Sequence, residues 1–548
     1  MSKYIIPRHA EIGTAAAEND DVYFADCFVD TGLINRLLAT NSARSVIVGR
    51  TGSGKSAIAR KISESHPHVC VVQPESLSLN FLADSWLLNV LTDQEFDLGL
   101  FYQQLWRHVI VIELLRYEKG LESEAKVRTF LSTLGALFKD NSGKLRAFEY
   151  LTKFGGEFWE DTEQRVKHIA NTFENNFLEA MGANYAALKG KVESGEKFTQ
   201  SESLELVNNA RKIVNSIQMQ ELSKIIDILD EHVFDDRKKQ VVLLIDDLDK
   251  QWADERIRVK LIEALINVLP KFRKIQNVKI VVAMRDDLLD IVLAQATTPG
   301  FQREKFEDQH YRLKWSKEEL LNILNRRINK LFKSQYTNDL VCVDDIMTST
   351  VSGQRSIDYI CDRTMMRPRD ILAYFNNLLD KFGGKAMILQ KDMRSIELDY
   401  STARRRALVD EWSDFYPYID QLIAFLGHRN LSAEFRIGNI DQHAVDDLAL
   451  NLVTKFEVLE DNLIARAKTH LNSSCGETRW AFTESLITVL YRVGALGIKT
   501  QSNSRMQFSF TDRPNIFGEE LNVNTPCLIH PMLWQNLSRR GEAKDLFL

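Results

Sequence analysis

Gly49-Arg50-Thr51-Gly52-Ser53-Gly54-Lys55-Ser56 is the stretch that decides how this chain is read. It satisfies G-x-x-x-x-G-K-[ST] in full. The apolar run Ser45-Val46-Ile47-Val48 before it reads as a short buried strand, and Ser56 to Ile62 reads as the start of a helix. Glycines let the backbone curl so that successive N–H groups point at phosphate oxygens, and a helix starting near Lys55 adds the positive end of its dipole. In such a loop Gly49, Arg50, Thr51, Gly52, Ser53, Gly54, Lys55, Ser56 and Ala57 surround the phosphates of a nucleotide. Lys55 reaches the β- and γ-phosphates and the Ser56 hydroxyl ligates Mg²⁺.

The second half of a nucleotide site is Val241-Val242-Leu243-Leu244-Ile245-Asp246-Asp247. A continuous apolar run is the pattern of a parallel strand covered on both faces. Its terminal carboxylate, Asp246, is placed to join the Mg²⁺ shell, and Asp247 follows where it could polarise the attacking water. Two further strands are predicted, Val69 to Val72 and Val278 to Met284, with a crossover helix over Asp254 to Lys271. Strand, helix, strand in this order predicts an α/β core with a parallel sheet.

Two arginine sites follow. Arg285 lies just beyond the 278–284 strand, and strand ends in open α/β sheets face the ligand crevice. It is a candidate reader of the γ-phosphate or the lytic water, with pairing to Asp286 or Asp287 as the alternative. Arg367-Pro368-Arg369-Asp370 is the other, because Pro368 suits a first helical turn. Two arginines at a helix N-terminus oppose its dipole at about 0.3–1 kcal/mol each, a cost that a phosphate would offset. Pairing with Asp362 or Asp370 is the alternative there.

Ser56 and Asp246 are about 190 residues apart, whereas one or two βα units of roughly 30 residues each would suffice between them. The surplus, about 95–232, reads as a long helical insertion. After Trp315 the texture is helical, beginning with a Ser316/Glu319 capping box. Near the end, a helix through Leu486, Val489, Leu490 and Val493 stops at Gly494. A strand Leu496 to Ile498, a turn Gln501 to Arg505 and the period-two segment Met506 to Phe510 follow, the ending of a winged-helix domain. The predicted organisation is a P-loop NTPase core over 1–315, helices over 316–429, and a winged-helix-like domain over 430–548.

The chain has 548 residues, 44% hydrophobic and 27% charged, with a net charge of −6. That composition excludes a disordered or collagen-like chain, and the acidity disfavours a general nucleic-acid coat. The six scattered cysteines form no CxxC pair and no legible zinc site. No apolar run is long enough for a membrane span, so a cytoplasmic protein with no membrane partner is expected.

Ile245-Asp246-Asp247-Leu248-Asp249-Lys250 resembles the IDDLD[RK] Walker B signature of KAP-type NTPases and of a neighbouring family of bacterial P-loop ATPases, within the wider STAND/AAA-like group. Trp252, Arg285, Tyr311 to Trp315, Arg367 to Asp370, Tyr400-Ser401 with Glu411, and His530-Pro531 extend the resemblance over most of the chain. It implies a nucleotide-driven switch with a core, a helical lid with connecting helices over 316–429 bearing a sensor arginine, and a winged helix. Members often act in bacterial anti-phage defence beside a separate effector. KAP proteins commonly carry transmembrane helices inserted in the core; this chain departs from that pattern, which favours the neighbouring family.

Three functions compete. The first is an ATP-hydrolysing, Mg²⁺-dependent switch that forms homo-oligomers, with Arg303, Arg326 or Arg327 reaching a neighbour's γ-phosphate. The second is an initiator- or loader-like ATPase that binds DNA through its winged helix, with Arg404-Arg405-Arg406 and Arg539-Arg540 as local positive charge. The third is a nucleotide-holding scaffold with little turnover, kept open by Asp rather than Glu at position 247.

Overall fold

A computed structural model describes residues 4–14, 16–74, 86–93, 97–119, 174–182, 184, 189–191, 198–216, 225–250, 252–253, 255–295, 306–333, 339–473, 475–500, 505–541 and 546–547. These divide into two units. One comprises Asp30–Arg50 and Lys55–Leu313; the other comprises Met1–Val29, Thr51–Gly54 and Lys314–Leu548.

The first unit is built on strands β1 (Val46–Gly49), β2 (Val69–Val72), β3 (Val241–Ile245), β4 (Val278–Arg285) and β5 (His310–Arg312), in the spatial order β2-β3-β4-β1-β5. Every pairing is parallel. All of β1 and β3 and all but the last residue of β4 are buried. This is why their sequences run apolar without alternation. The helix α1 (Lys55–Ser65) follows β1, α2 (Gly99–Lys119) follows β2, α3 (Glu255–Phe272) is the crossover from β3 to β4, and α4 (Asp286–Gln295) leaves β4. α2 is buried on most of its circumference and is tied to α3 by Trp106 Nε1, which donates to the Leu261 carbonyl at 2.7 Å. Of the 95–232 interval read as an insertion, α2 and a helix at Gln200–Ser216 are described; residues 120–173 lie outside the described residues.

The strands predicted from apolar runs are present, and the core is an α/β parallel sheet. β5 is an addition, because Tyr311-Arg312 carries no apolar run. It pairs with β1 from Val46↔His310 to Val48↔Arg312 at the end of the strand order, where half-buried polar residues are tolerated.

The second unit is mainly helical. α5 (Lys317–Lys333) starts at the predicted capping box: Glu319 accepts from Ser316 N at 2.8 Å while Ser316 Oγ accepts from Glu319 N at 3.2 Å. α6 (Ser356–Cys361), α7 (Pro368–Phe382) and α8 (Gln390–Trp412) follow. Residues 1–29 belong with these helices and not with the sheet. Arg327 on α5 bonds Asp20 Oδ2 at 2.5 Å and the Ile12 carbonyl at 2.7 Å, and Asn376 on α7 bonds both Ile12 N and the Gly13 carbonyl.

After β6 (Glu434–Arg436) come α9 (Gln442–Lys455), α10 (Asn462–Ser473) and α11 (Gly476–Arg492), then β7 (Leu496–Ile498) and β8 (Pro526–Ile529). The three strands form an antiparallel sheet in the order β6-β8-β7. Met506–Phe510 is not a strand; only an isolated bridge joins Gln507 to Ile498. Asp512 pulls this segment into a turn, its Oδ2 accepting from Phe508 N at 3.0 Å while its own N–H bonds the Phe508 carbonyl at 2.9 Å. The period-two spacing instead serves an aromatic cluster of Phe508 and Phe510 with His530 and Phe547. Residues 501–504 of the predicted turn lie outside the described residues. Among the described residues no helix is long and apolar enough to cross a membrane.

Candidate functional site

Within the sheet unit, Gly49 ends β1 directly opposite Arg285 at the end of β4. β4 also separates β1 from β3, so Arg285 leaves the sheet between the 49–50 turn and the Asp246-Asp247 turn. Lys55 opens α1, and its ammonium donates to the carbonyls of Gly49 at 2.9 Å and Arg50 at 3.2 Å. Burial pushes the Lys55 pKa down, opposed by Asp249 and Asp246. Ser56 and Ala57 follow in the first turn of α1, both half-buried.

Asp246 stands at the carboxyl end of β3. Burial raises its pKa to about 6; the Asp247 N–H, donating to Oδ1 at 2.9 Å, works the other way. A carboxylate that is costly to ionise where it stands is eased by a cation beside it. Asp247 has φ +61°, a left-handed conformation rare outside glycine. Its Oδ2 pairs with Lys250 Nζ at 3.0 Å. Arg285 pairs with Asp287, Nε to Oδ1 at 3.0 Å, and approaches Asp249 at 3.8 Å. The pairing with Asp287 that the sequence left as an alternative is therefore formed.

Thr51 to Gly54 group with the helical unit. Gly52 and Gly54 have φ +78° and +101°, conformations open to glycine at no steric cost. A Cβ on Gly52 would stand 2.7 Å from Arg369 Cβ, so the glycine also permits close approach. The Gly52 carbonyl accepts from Arg369 N at 3.4 Å, Thr51 O from Arg367 Nη1 at 2.5 Å, and Ser53 O from Trp315 Nε1 at 2.8 Å. Among the described residues the Thr51 and Ser53 hydroxyl oxygens are buried without a hydrogen-bond partner. A segment with spare polar atoms and curled glycines fits an oxyanion ligand.

The two arginines at the start of α7 differ. Arg367 is buried and held by Asp370 at 2.8 Å and Glu411 at 2.9 Å. Burial works against its charge, but the two carboxylates outweigh that and raise its pKa. Asp370 is in turn held by Arg404 at 2.9 Å and by Met365 N at 3.0 Å. Arg369 is half-buried, and its guanidinium makes no ion pair among the described residues. Burial and the neighbouring Arg367 lower its pKa. Arg369 is the side chain of this pair with charge to spare for an anion.

Several of the other nominated arginines bond within the protein. Arg327 is consumed in its buried pair with Asp20, and Arg326 Nη1 caps the Phe28 carbonyl at 2.8 Å. Arg303 lies outside the described residues. Arg404 pairs with Asp370, Arg405 with Asp420 at 2.7 Å, and Arg539 bonds the Leu426 and His428 carbonyls. Lys250, Trp315 and Glu411 were given no role by the sequence. Of these, Lys250 had a readable signal, a cation three residues after an acid at the end of a strand.

Residues 318–409 match the model of a FunZ-associated C-terminal helical domain. Arg367, Arg369, Asp370 and Arg404 fall inside that match. Over 559 aligned residues the chain is 23% identical to the "Putative transposon gamma-delta 80.3 kDa protein" of Escherichia coli (strain K12), covering 100% of this chain and 70% of that protein.

Proposed function

We propose that this chain is an ATP-binding and ATP-hydrolysing switch that works as an oligomer. The observation that carries the proposal is the junction of β1, β3 and β4. There the Lys55 ammonium lies on the carbonyls of its own loop, Asp246 ends the strand two places away, and Arg285 ends the strand between. On this reading 49–56 is a P-loop that holds the phosphates. Ser56 and Asp246 supply one hydroxyl and one carboxylate to Mg²⁺, with phosphate oxygens and water as the remaining ligands. Among the described residues no group of three or more His, Cys, Asp or Glu could hold a metal by itself, which suits a cation that arrives with a nucleotide. Asp247 orients water, Arg285 meets the γ-phosphate, and Arg367 holds the start of α7, where Arg369 has charge to spare. Residues 316–429 would then be the lid and 430–548 a winged helix, and a separate effector, in the manner of bacterial anti-phage defence ATPases, would receive the signal.

The test is phosphate release and fluorescent-nucleotide binding in Lys55→Ala and Asp247→Asn. Lys55→Ala is expected to lose both; Asp247→Asn should keep binding and lose turnover by about 10²-fold or more. Turnover that survives both changes rejects the assignment, and binding without turnover in the unmodified chain selects the scaffold reading.

The similarity to a protein named for a transposon favours DNA as a second reading. Against it, Arg404, Arg405 and Arg539 are engaged within the protein, leaving Arg406 and Arg540 as the exposed members of the two clusters. Retardation of duplex DNA that weakens steeply with salt would support it; none at low salt would remove it.

A further inference from the structure

The turn after β3 contains a cation with no assigned task. Asp247 is held in a left-handed conformation, which costs on the order of 1 kcal/mol or more in a residue with a side chain. The surrounding bonds over-determine it. Asp246 Oδ1 accepts from Asp247 N at 2.9 Å, and Lys250 N donates to the Asp247 carbonyl at 3.1 Å, closing a four-residue turn. The Lys250 carbonyl accepts from Trp252 N at 3.1 Å and from Arg258 Nη1 at 3.3 Å. Trp252 is buried, bonds the Leu248 carbonyl through Nε1 at 2.9 Å and packs edge-on against Trp106 of α2. The Lys250 main chain is therefore fixed from several sides, and its ammonium reaches back 3.0 Å to Asp247 Oδ2. Both side chains are partly exposed, 48% and 34%. Such a pair adds little to stability, so its consequence lies in where it points the carboxylate.

We propose that Lys250 is the positioning residue for Asp247: it fixes the orientation in which that carboxylate meets the attacking water, and so governs the turnover step rather than nucleotide affinity. The proposal rests on the ATPase reading above. Lys250→Ala is expected to lower kcat about tenfold while fluorescent-ATP affinity stays within about twofold, and Lys250→Arg should restore most of the loss. Unchanged or raised turnover in Lys250→Ala, or failure of Lys250→Arg to rescue, overturns the inference while Lys55-dependent turnover in the unmodified chain keeps the ATPase reading. Absence of Lys55-dependent turnover overturns both.

Discussion

At the scale of single residues, the chain distinguishes arginines by what surrounds them, and this separates stability from binding. Removing Arg367 would break its buried pairs with Glu411 and with Asp370, which retains Arg404, a loss of about 3–5 kcal/mol for a broken buried pair. Arg367→Ala is therefore expected to lower Tm strongly in the absence of any nucleotide. Arg369→Ala removes no ion pair among the described residues. It should leave Tm nearly unchanged and, if the chain binds ATP as proposed, weaken the stabilisation that ATP adds, both read from the same thermal melts. Equal effects of the two changes would dismiss the division. Gly52 makes a third case: alanine there meets φ +78° and a 2.7 Å approach to Arg369 at once. Gly52→Ala should weaken nucleotide binding about as severely as Lys55→Ala, whereas a Gly32→Ala control, also at positive φ but with open space around its missing Cβ, should not.

At the scale of elements, α7 and α8 are pinned by Asp370, and that pin has a pH signature. Arg367 and Arg404 overcome the effect of burial and bring its pKa from 3.8 to about 2. The folded state then binds fewer protons than the unfolded one between those values. The contribution is full above pH 4 and is lost as pH falls toward 2, about 2 kcal/mol in all. The Tm gap between the unmodified chain and Asp370→Asn should be wide at pH 7 and should narrow below pH 4; a gap independent of pH would contradict the pairing. Legibility in the sequence followed the same physics. β1, β3 and β4 could be read because strands covered on both faces are mostly apolar, β2 because its four residues are apolar although Val71 is exposed, and the start of α5 because its capping box is local. β5 could not, being short, half-buried and polar. Met506 to Phe510 misled because alternating side chains can fill an aromatic cluster as readily as one face of a strand. The placement of residues 1–29 depends on an Asp20–Arg327 pair spanning 307 positions, which no local pattern announces. The loop at 49–56 was legible as a motif; that Arg367 is a strut and Arg369 has charge to spare required the partners.

At the scale of the whole molecule, the similarity to the transposon protein runs the full length of this chain, whereas the helical-domain match covers only 318–409. The candidate residues therefore lie both inside and outside the segment with a family model, and in the proposed switch assembly would tie them together. If ATP drives oligomerisation, the mass measured by light scattering should rise with ATP and Mg²⁺, and Lys55→Ala should stay at the nucleotide-free mass. The arginines refine this. Arg327 is buried against Asp20, so Arg327→Ala should cost about 3–5 kcal/mol of stability with or without ATP, since it strands a buried carboxylate. Arg326 is exposed and, among the described residues, bonded only through a main-chain carbonyl and Asn322, so it can be released. Arg326→Ala should leave Tm within a degree or two. If Arg326 acts on a neighbour, the variant should still assemble with ATP but turn it over about 10³-fold more slowly. Mixing it with an Asp247→Asn chain should then restore part of the activity, because each chain supplies the group that the other lacks. No recovery on mixing, with assembly intact, would remove Arg326 as the group acting across subunits.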